Sequence, residues 1–168
     1  MRAAAALLAA LAGCTTIRYV SQAAHGQLWL LHDAQPIDRV IADPGTDERT
    51  RRLLSEVPLI QAWGDAHGLD PQGNYRTFVE RRGAAAVWYV AACKPLAFEP
   101  KVWSFPIVGS FPMLGWFSLE DALEFRRELS RGGWDVYVRG AIAYSTGGWF
   151  HDPVMSTMFL DGPNEVGD

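Results

Sequence analysis

Apolar residues at Ile17, Val20, Ala24, Leu28 and Leu31 recur at the interval of a helix face, behind Thr15 and Thr16, either of which can cap its start. The pattern predicts a first helix that runs to about Ala34 and stops before Pro36. A second helical stretch follows in PGTDERTRRLLSEVPLIQAWGDAHGL. There Thr46 is the expected cap, Asp47 and Glu48 suit the positive end of the helix dipole, and Leu53, Leu54, Val57 and Ile60 make the apolar stripe. Pro58 lacks the donor that an interior turn uses, so it is expected to kink or split this stretch into a helical pair. His67-Gly68 reads as a C-terminal cap, and DPQGN at Asp70–Asn74 as turn chemistry.

The second half changes character. AAAVWYVAAC at Ala84–Cys93 is apolar throughout and bounded by Gly83 and Lys94-Pro95, which predicts a strand covered on both faces in the middle of a sheet. VWSFPIVG at Val102–Gly109 predicts another strand, which Pro106 pushes to an edge or a bulge. Ser118 with Asp121 resembles a capping box, and it opens a helix through Leu119, Ala122, Leu123, Arg126 and Leu129 that ends at Gly132-Gly133. WDVYVRG then alternates, with Trp134, Val136 and Val138 on one face. The predicted class is α+β: N-terminal helices followed by a small sheet in strand-strand-helix-strand order, with no composition shift to mark a further domain.

The N-terminus bears on where such a domain works. Arg2 precedes an Ala/Leu run from Ala3 to Ala12 that overlaps LAGC at Leu11–Cys14. The run is half the length of roughly twenty residues that a membrane-spanning helix needs, so residues 1–13 read as a removable signal peptide. LAGC is a lipoprotein cleavage box, which makes Cys14 the acylated first residue of a mature chain over residues 14–168. Several acyl chains, at about 0.8 kcal/mol per buried methylene, hold a protein on a bacterial membrane far better than one. The expected location is the cell envelope, lipid-anchored and facing the periplasm, on the outer membrane. Cys93 is then the only remaining thiol, so no internal disulfide is expected and stability falls to a packed core. A net charge of −4 with no basic run argues against nucleic acid and leaves peptides, glycans and small molecules as partners.

Self-contained active sites are not evident. The chain has no HExxH, CxxC, GxSxG or phosphate-binding glycine loop, and His25 and His32 stand about two helical turns apart, too far to share a metal unaided. Glu99 reads as a solvated loop residue, His151-Asp152 as a turn before Pro153, and Ser145 has no evident base. Neither a catalytic residue nor a metal ligand is assigned within these residues.

VWYVAACKPLAFEPKVWSFPIVGSFPMLGWF, together with DVYVRGAIAYSTGGWFHDPVMSTM, resembles a bacterial family of zinc aminopeptidase lipoproteins. That family carries a buried strand, W-x-F-P-[IV]-x-G, an aromatic G-[YFW]-F, then A-Y-S-T-x-G-W-F-x-D-P and S-T-M. YVSQAAHGQLWLL, QPI at Gln35–Ile37 and NYRTFV at Asn74–Val79 fit the same pattern. The resemblance implies a metallopeptidase that removes amino-terminal residues from peptides, with zinc expected for the full-length family. Its H-E-L-A-H motif lies shortly after S-T-M and is not among these residues. FLDGPNEVGD reads as the approach to that helix, so the chain is expected to end where the zinc helix begins and to be an inactive fragment by itself. Under this resemblance Tyr144, Ser145 and Thr146 offer hydroxyls for a peptide backbone or a developing oxyanion, and Trp149 and Phe150 line a side-chain pocket. The same aromatics serve equally well as core beneath a following helix. PIVGSFPMLGWFSLEDALEFRRELSRGGWDVYV also resembles the strand-helix-strand of a sporulation-related-repeat module, which implies a periplasmic glycan binder as the alternative.

Overall fold

A computed structural model of the chain describes residues 2–70, 73–81, 83–105 and 109–159, with side chains from Thr16 onward. In chain order the elements are α1 (Arg2–Asp33), β1 (Gln35–Pro36), α2 (Ile37–Ala42), α3 (Glu48–Ala66), β2 (Thr77–Val79), β3 (Val87–Cys93), β4 (Trp103–Phe105), β5 (Gly109–Phe111), β6 (Met113–Trp116), α4 (Leu119–Arg131), β7 (Asp135–Ala141) and β8 (Val154–Met155). A 3₁₀ turn over Ser156–Phe159 follows. The α+β class holds, but the strands form three small sheets, ordered β1-β2-β8, β6-β3-β7 and β4-β5. The chain divides into two compact units: Met1–Leu31 with Trp88–Val138, and His32–Val87 with Arg139–Asp168.

In the first unit β3 is central, as its unbroken apolar run requires, and pairs antiparallel with β6 from Trp88 opposite Trp116 to Ala91 opposite Met113. Helix α4 begins where Ser118 accepts a hydrogen bond from the Asp121 amide at 3.3 Å. It buries Ala122, Phe125 and Leu129, spaced at three and four residues, and the Phe125 ring lies 5.0 Å from that of the fully buried Trp116. Helix α1 attaches through polar contacts as well as through Tyr19, whose ring meets Trp116 and Phe105. Arg18 meets Asp121, Glu124 and Glu128 at 3.1, 2.6 and 3.1 Å. Desolvation works against the Arg18 charge, but hydrogen bonds and fields from these carboxylates outweigh it and raise the pKa. One turn on, Gln22 donates to the Gly115 carbonyl at 3.1 Å and accepts from the Phe117 amide at 3.2 Å, matching the β6 end as a neighbouring strand would. Gly26 is buried against the Phe117 ring so closely that any Cβ would overlap it.

The second unit is a core of Ile37, Val40, Leu54, Val57, Phe78 and Val154, with Met158 and Phe159 packed against it. Strand β2 binds antiparallel to β1 and parallel to β8, with Phe78 opposite Val154 and Val79 opposite Met155.

Several expectations need correction. Helix α1 runs unbroken from Arg2, so neither Thr15 nor Thr16 caps it, although its end at Asp33 lies where the pattern put it. The Cys14 side chain, Pro106 and the segment from Leu160 to Asp168 lie outside what is described. Pro58 does not split α3, which stays one helix because Leu54 and Val57 anchor the turn before the proline in the core. Ile60 is exposed rather than buried. The α3 cap is Asp47, which accepts from the Thr50 amide at 2.9 Å; Thr46 instead donates to the Val40 carbonyl at 2.7 Å. The stretch at Val102–Gly109 is not one strand but parts of a hairpin, β4 with β5, registered from Trp103–Phe111 to Phe105–Gly109. No described helix is long and apolar enough to cross a membrane.

The Asp47 cap gives a pH test. Hydrogen bonds from the Thr50 side chain and amide hold this exposed carboxylate below the usual range. Its contribution is therefore present above the ordinary aspartate value, about 3.9, and is lost as pH falls through the lower folded value. Asp47→Asn keeps a capping oxygen but does not titrate. In urea titrations between pH 5 and pH 2, as markers of roughly that acid range, the wild-type chain should lose more stability than Asp47→Asn; equal losses contradict the cap.

Candidate functional site

The stretch Tyr144–His151 forms the loop between β7 and β8, in the second unit. Each arm of the loop is tied down. At the first, the buried Thr157 hydroxyl donates to the Ile142 carbonyl at 2.7 Å. At the second, the Asp152 amide donates to Asn74 Oδ1 at 2.7 Å, and the Asp152 carbonyl accepts from the Tyr75 amide at 2.7 Å. The Asp152 carboxylate also accepts from the Thr146 amide at 3.4 Å, so one buried residue joins both arms to the turn at 73–75. Asn74 is itself held, since Gln61 of α3 donates to its carbonyl at 2.8 Å.

The turn pays in strain. Tyr75 has φ 60°, a left-handed conformation that costs a side-chain-bearing residue roughly 1–2 kcal/mol, and it persists here beside the bond to Asp152. Gly73, at φ 83°, lies against the exposed His151 ring; a Cβ there would stand 3.4 Å from His151 Nε2.

Within the loop the hydroxyls shape the backbone. Thr146 Oγ1 accepts from the Phe150 amide at 3.0 Å, and Ser145 Oγ accepts from the Gly147 amide at 3.1 Å. Gly147 and Gly148 take φ 67° and 92°, which lets the chain reverse at the tip. Trp149 and Phe150 follow in solvent, 63 % and 45 % exposed, while Tyr144 and Thr146 are half-buried and Ser145 is exposed. The structure thus gathers Tyr144, Ser145, Thr146 and Trp149 on one braced loop. The two aromatics at its tip are outside the core.

The S-T-M segment is scaffold. Ser156 Oγ accepts from the Arg81 amide at 2.8 Å and donates to the Arg81 carbonyl at 3.2 Å, Thr157 holds Ile142, and Met158 packs on the core. Burial pushes the Arg81 pKa down, and its Nε donates to the Ala86 carbonyl at 3.3 Å. His151 and Asp152, adjacent in sequence, part company: one faces solvent, the other is buried. Glu99 is ion-paired with Lys94, and His25 and His32 are exposed. Sequence reasoning missed the Asn74–Asp152 tie, whose one signal was an Asn in a Gly-Asn turn and an Asp before proline.

A zinc ion does not fit the donors present: among the described residues no three His, Cys, Asp or Glu side chains converge.

Residues 18–168 match the model of the family described as "Putative aminopeptidase", and the chain belongs to that family. No curated protein and no solved structure matches it.

Removing Asn74 Oδ1 leaves the Asp152 amide without this acceptor. Asn74→Ala should cost about 1–3 kcal/mol in urea denaturation; a variant as stable as wild type contradicts the tie.

Proposed function

We propose that this member of the aminopeptidase family supplies the peptide-binding wall of a peptidase site in the bacterial cell envelope, anchored through acyl groups on Cys14. Hydrolysis is assigned in this reading to residues not among these 168, because no H-E-x-x-H occurs in them. The observation that carries the reading is the loop 144–151: hydrogen bonds brace it from beneath, and Trp149 and Phe150 are nevertheless held in water.

A loop tied at both arms loses little entropy when a ligand settles on it. Trp149 gives a peptide side chain a flat apolar surface. The Ser145 hydroxyl accepts from the Gly147 amide, and the Thr146 hydroxyl accepts from the Phe150 amide and donates to the Phe150 carbonyl at 3.4 Å; a hydroxyl accepts through two lone pairs and donates one proton, so Ser145 keeps a donor and an acceptor site and Thr146 an acceptor site for a peptide main chain. Tyr144, half-buried at the start of the loop, is assigned to the same wall. In this reading the residues present here bind and orient the peptide and take no part in activating the attacking water.

The glycan-binding alternative draws on the β6-α4-β7 unit, a strand-helix-strand that leaves the braced aromatic loop without a role.

Trp149→Ala in the full chain tests the reading. Binding of dye-labelled short peptides, followed by fluorescence anisotropy, should weaken about tenfold, as for an exposed aromatic anchor. Unchanged peptide affinity contradicts it, and co-sedimentation with purified sacculi that Trp149→Ala leaves intact favours the glycan reading.

A further inference from the structure

The connection between β3 and β4 is a short, stiff projection. The Lys94 amide donates to the Glu99 carbonyl at 3.1 Å, and the Ala97 amide to the Lys94 carbonyl at 3.2 Å. The Lys94 ammonium pairs with Glu99, Cys93 bridges to Pro100, and the Lys101 amide donates to the Ala92 carbonyl at 2.8 Å. On this closed frame Leu96 and Phe98 are each 107 % exposed, more open than in an extended reference chain. Leu96 also sits at φ 56°, a conformation a leucine seldom adopts. Two large apolar side chains held outward on a rigid tip mark a contact surface.

The direction of that tip within the first unit identifies what it meets. Along α1, Gly26 faces Phe117, Gln22 binds Gly115 and Phe117, and the Tyr19 ring meets Trp116 edge-on at 5.5 Å and Phe105 at a tilt at 5.4 Å. Followed back from Gly26 beside Phe117, helix α1 reaches Arg18, which pairs with Asp121, Glu124 and Glu128 along α4, so its leading end points toward the C-terminal end of α4. That end lies by the tip, since Lys101 Nζ stands 4.4 Å from the Trp134 ring and the Lys101 amide binds the Ala92 carbonyl. Met113 stands opposite Ala91, two residues before β3 delivers the chain to the tip. Cys14 lies five residues ahead of Tyr19 on this continuous helix, about 7–8 Å farther along the same direction. The acyl-bearing position and the Leu96–Phe98 tip are thus at one end of the unit. Val102 and Met113, at that end, are 55 % and 45 % exposed. Lys101 and the exposed Arg131, in the last turn of α4, add positive charge beside them.

We propose that the Leu96–Phe98 tip is a second membrane contact, which inserts into the headgroup and acyl boundary of the bilayer beside the acyl chains on Cys14. It rests on the proposed function only for the anchor at Cys14. An acyl anchor alone leaves a protein free to swivel; a rigid apolar tip on the same end fixes one face of the unit against the lipid.

The test uses the full chain with Cys93→Ser and one new cysteine for an environment-sensitive dye, either Phe98→Cys at the tip or Glu120→Cys in the first turn of α4. Intact mass first shows whether Cys14 is acylated; if it is not, Cys14→Ser is added so that one thiol is labelled. On vesicles of phosphatidylethanolamine and phosphatidylglycerol, the dye at position 98 should shift to shorter wavelength and lose intensity to nitroxide-bearing lipids, while the dye at 120 does neither. Equal behaviour of the two positions overturns the inference. Acylation with an unquenched tip dismisses the tip and keeps the anchor; a quenched tip without acylation keeps the tip and dismisses the anchor.

Discussion

One residue, Asp152, determines what the aromatic loop can be. Its amide, carbonyl and carboxylate are each hydrogen-bonded, to Asn74, Tyr75 and Thr146, and it is buried. A buried main chain must satisfy its polar groups, and here that requirement joins segments 78 positions apart in sequence. The left-handed Tyr75, the return of the chain into β8 and the exposure of Trp149 all follow from it. Without the tie, an aromatic pair at a Gly-Gly reversal would have every reason to collapse onto the core.

The first unit is ordered by a comparable device. Tyr19 joins the aromatic packing of Trp116 and Phe105, but Arg18 and Gln22 set the register of α1, one through three carboxylates of α4 and the other by occupying the hydrogen-bonding groups at the end of β6. Apolar contact tolerates sliding; directional bonds do not. Gly26 allows the close approach to Phe117 that this register demands.

Much of the architecture was legible where one local signal dominated. Helix α4 has a capping serine, apolar residues at helical spacing and a glycine pair at its end, and all three agree with the structure. Strand β3 was legible from its length and unbroken apolarity. Helix α2 was not, because six residues barely span two turns and give no period to read. Pro58 misled because its cost is local, whereas the burial of Leu54 and Val57 that keeps α3 whole is tertiary. The candidate loop was legible as a stretch and opaque as a geometry. Tyr144, Ser145, Thr146 and Trp149 do share one loop, but nothing local announced that Ser145 and Thr146 bond within it, or that S-T-M holds its base.

The loop to which we assign peptide binding is held rigid from below by the tie through Asp152. Amide hydrogen exchange of the intact chain measures this directly. The account predicts that the Tyr75, Asp152 and Phe150 amides, each bonded at 3.0 Å or less, exchange as slowly as those of the neighbouring core strands while the Trp149 amide at the tip exchanges freely. Exchange at Tyr75 and Asp152 as fast as at Trp149 would contradict it.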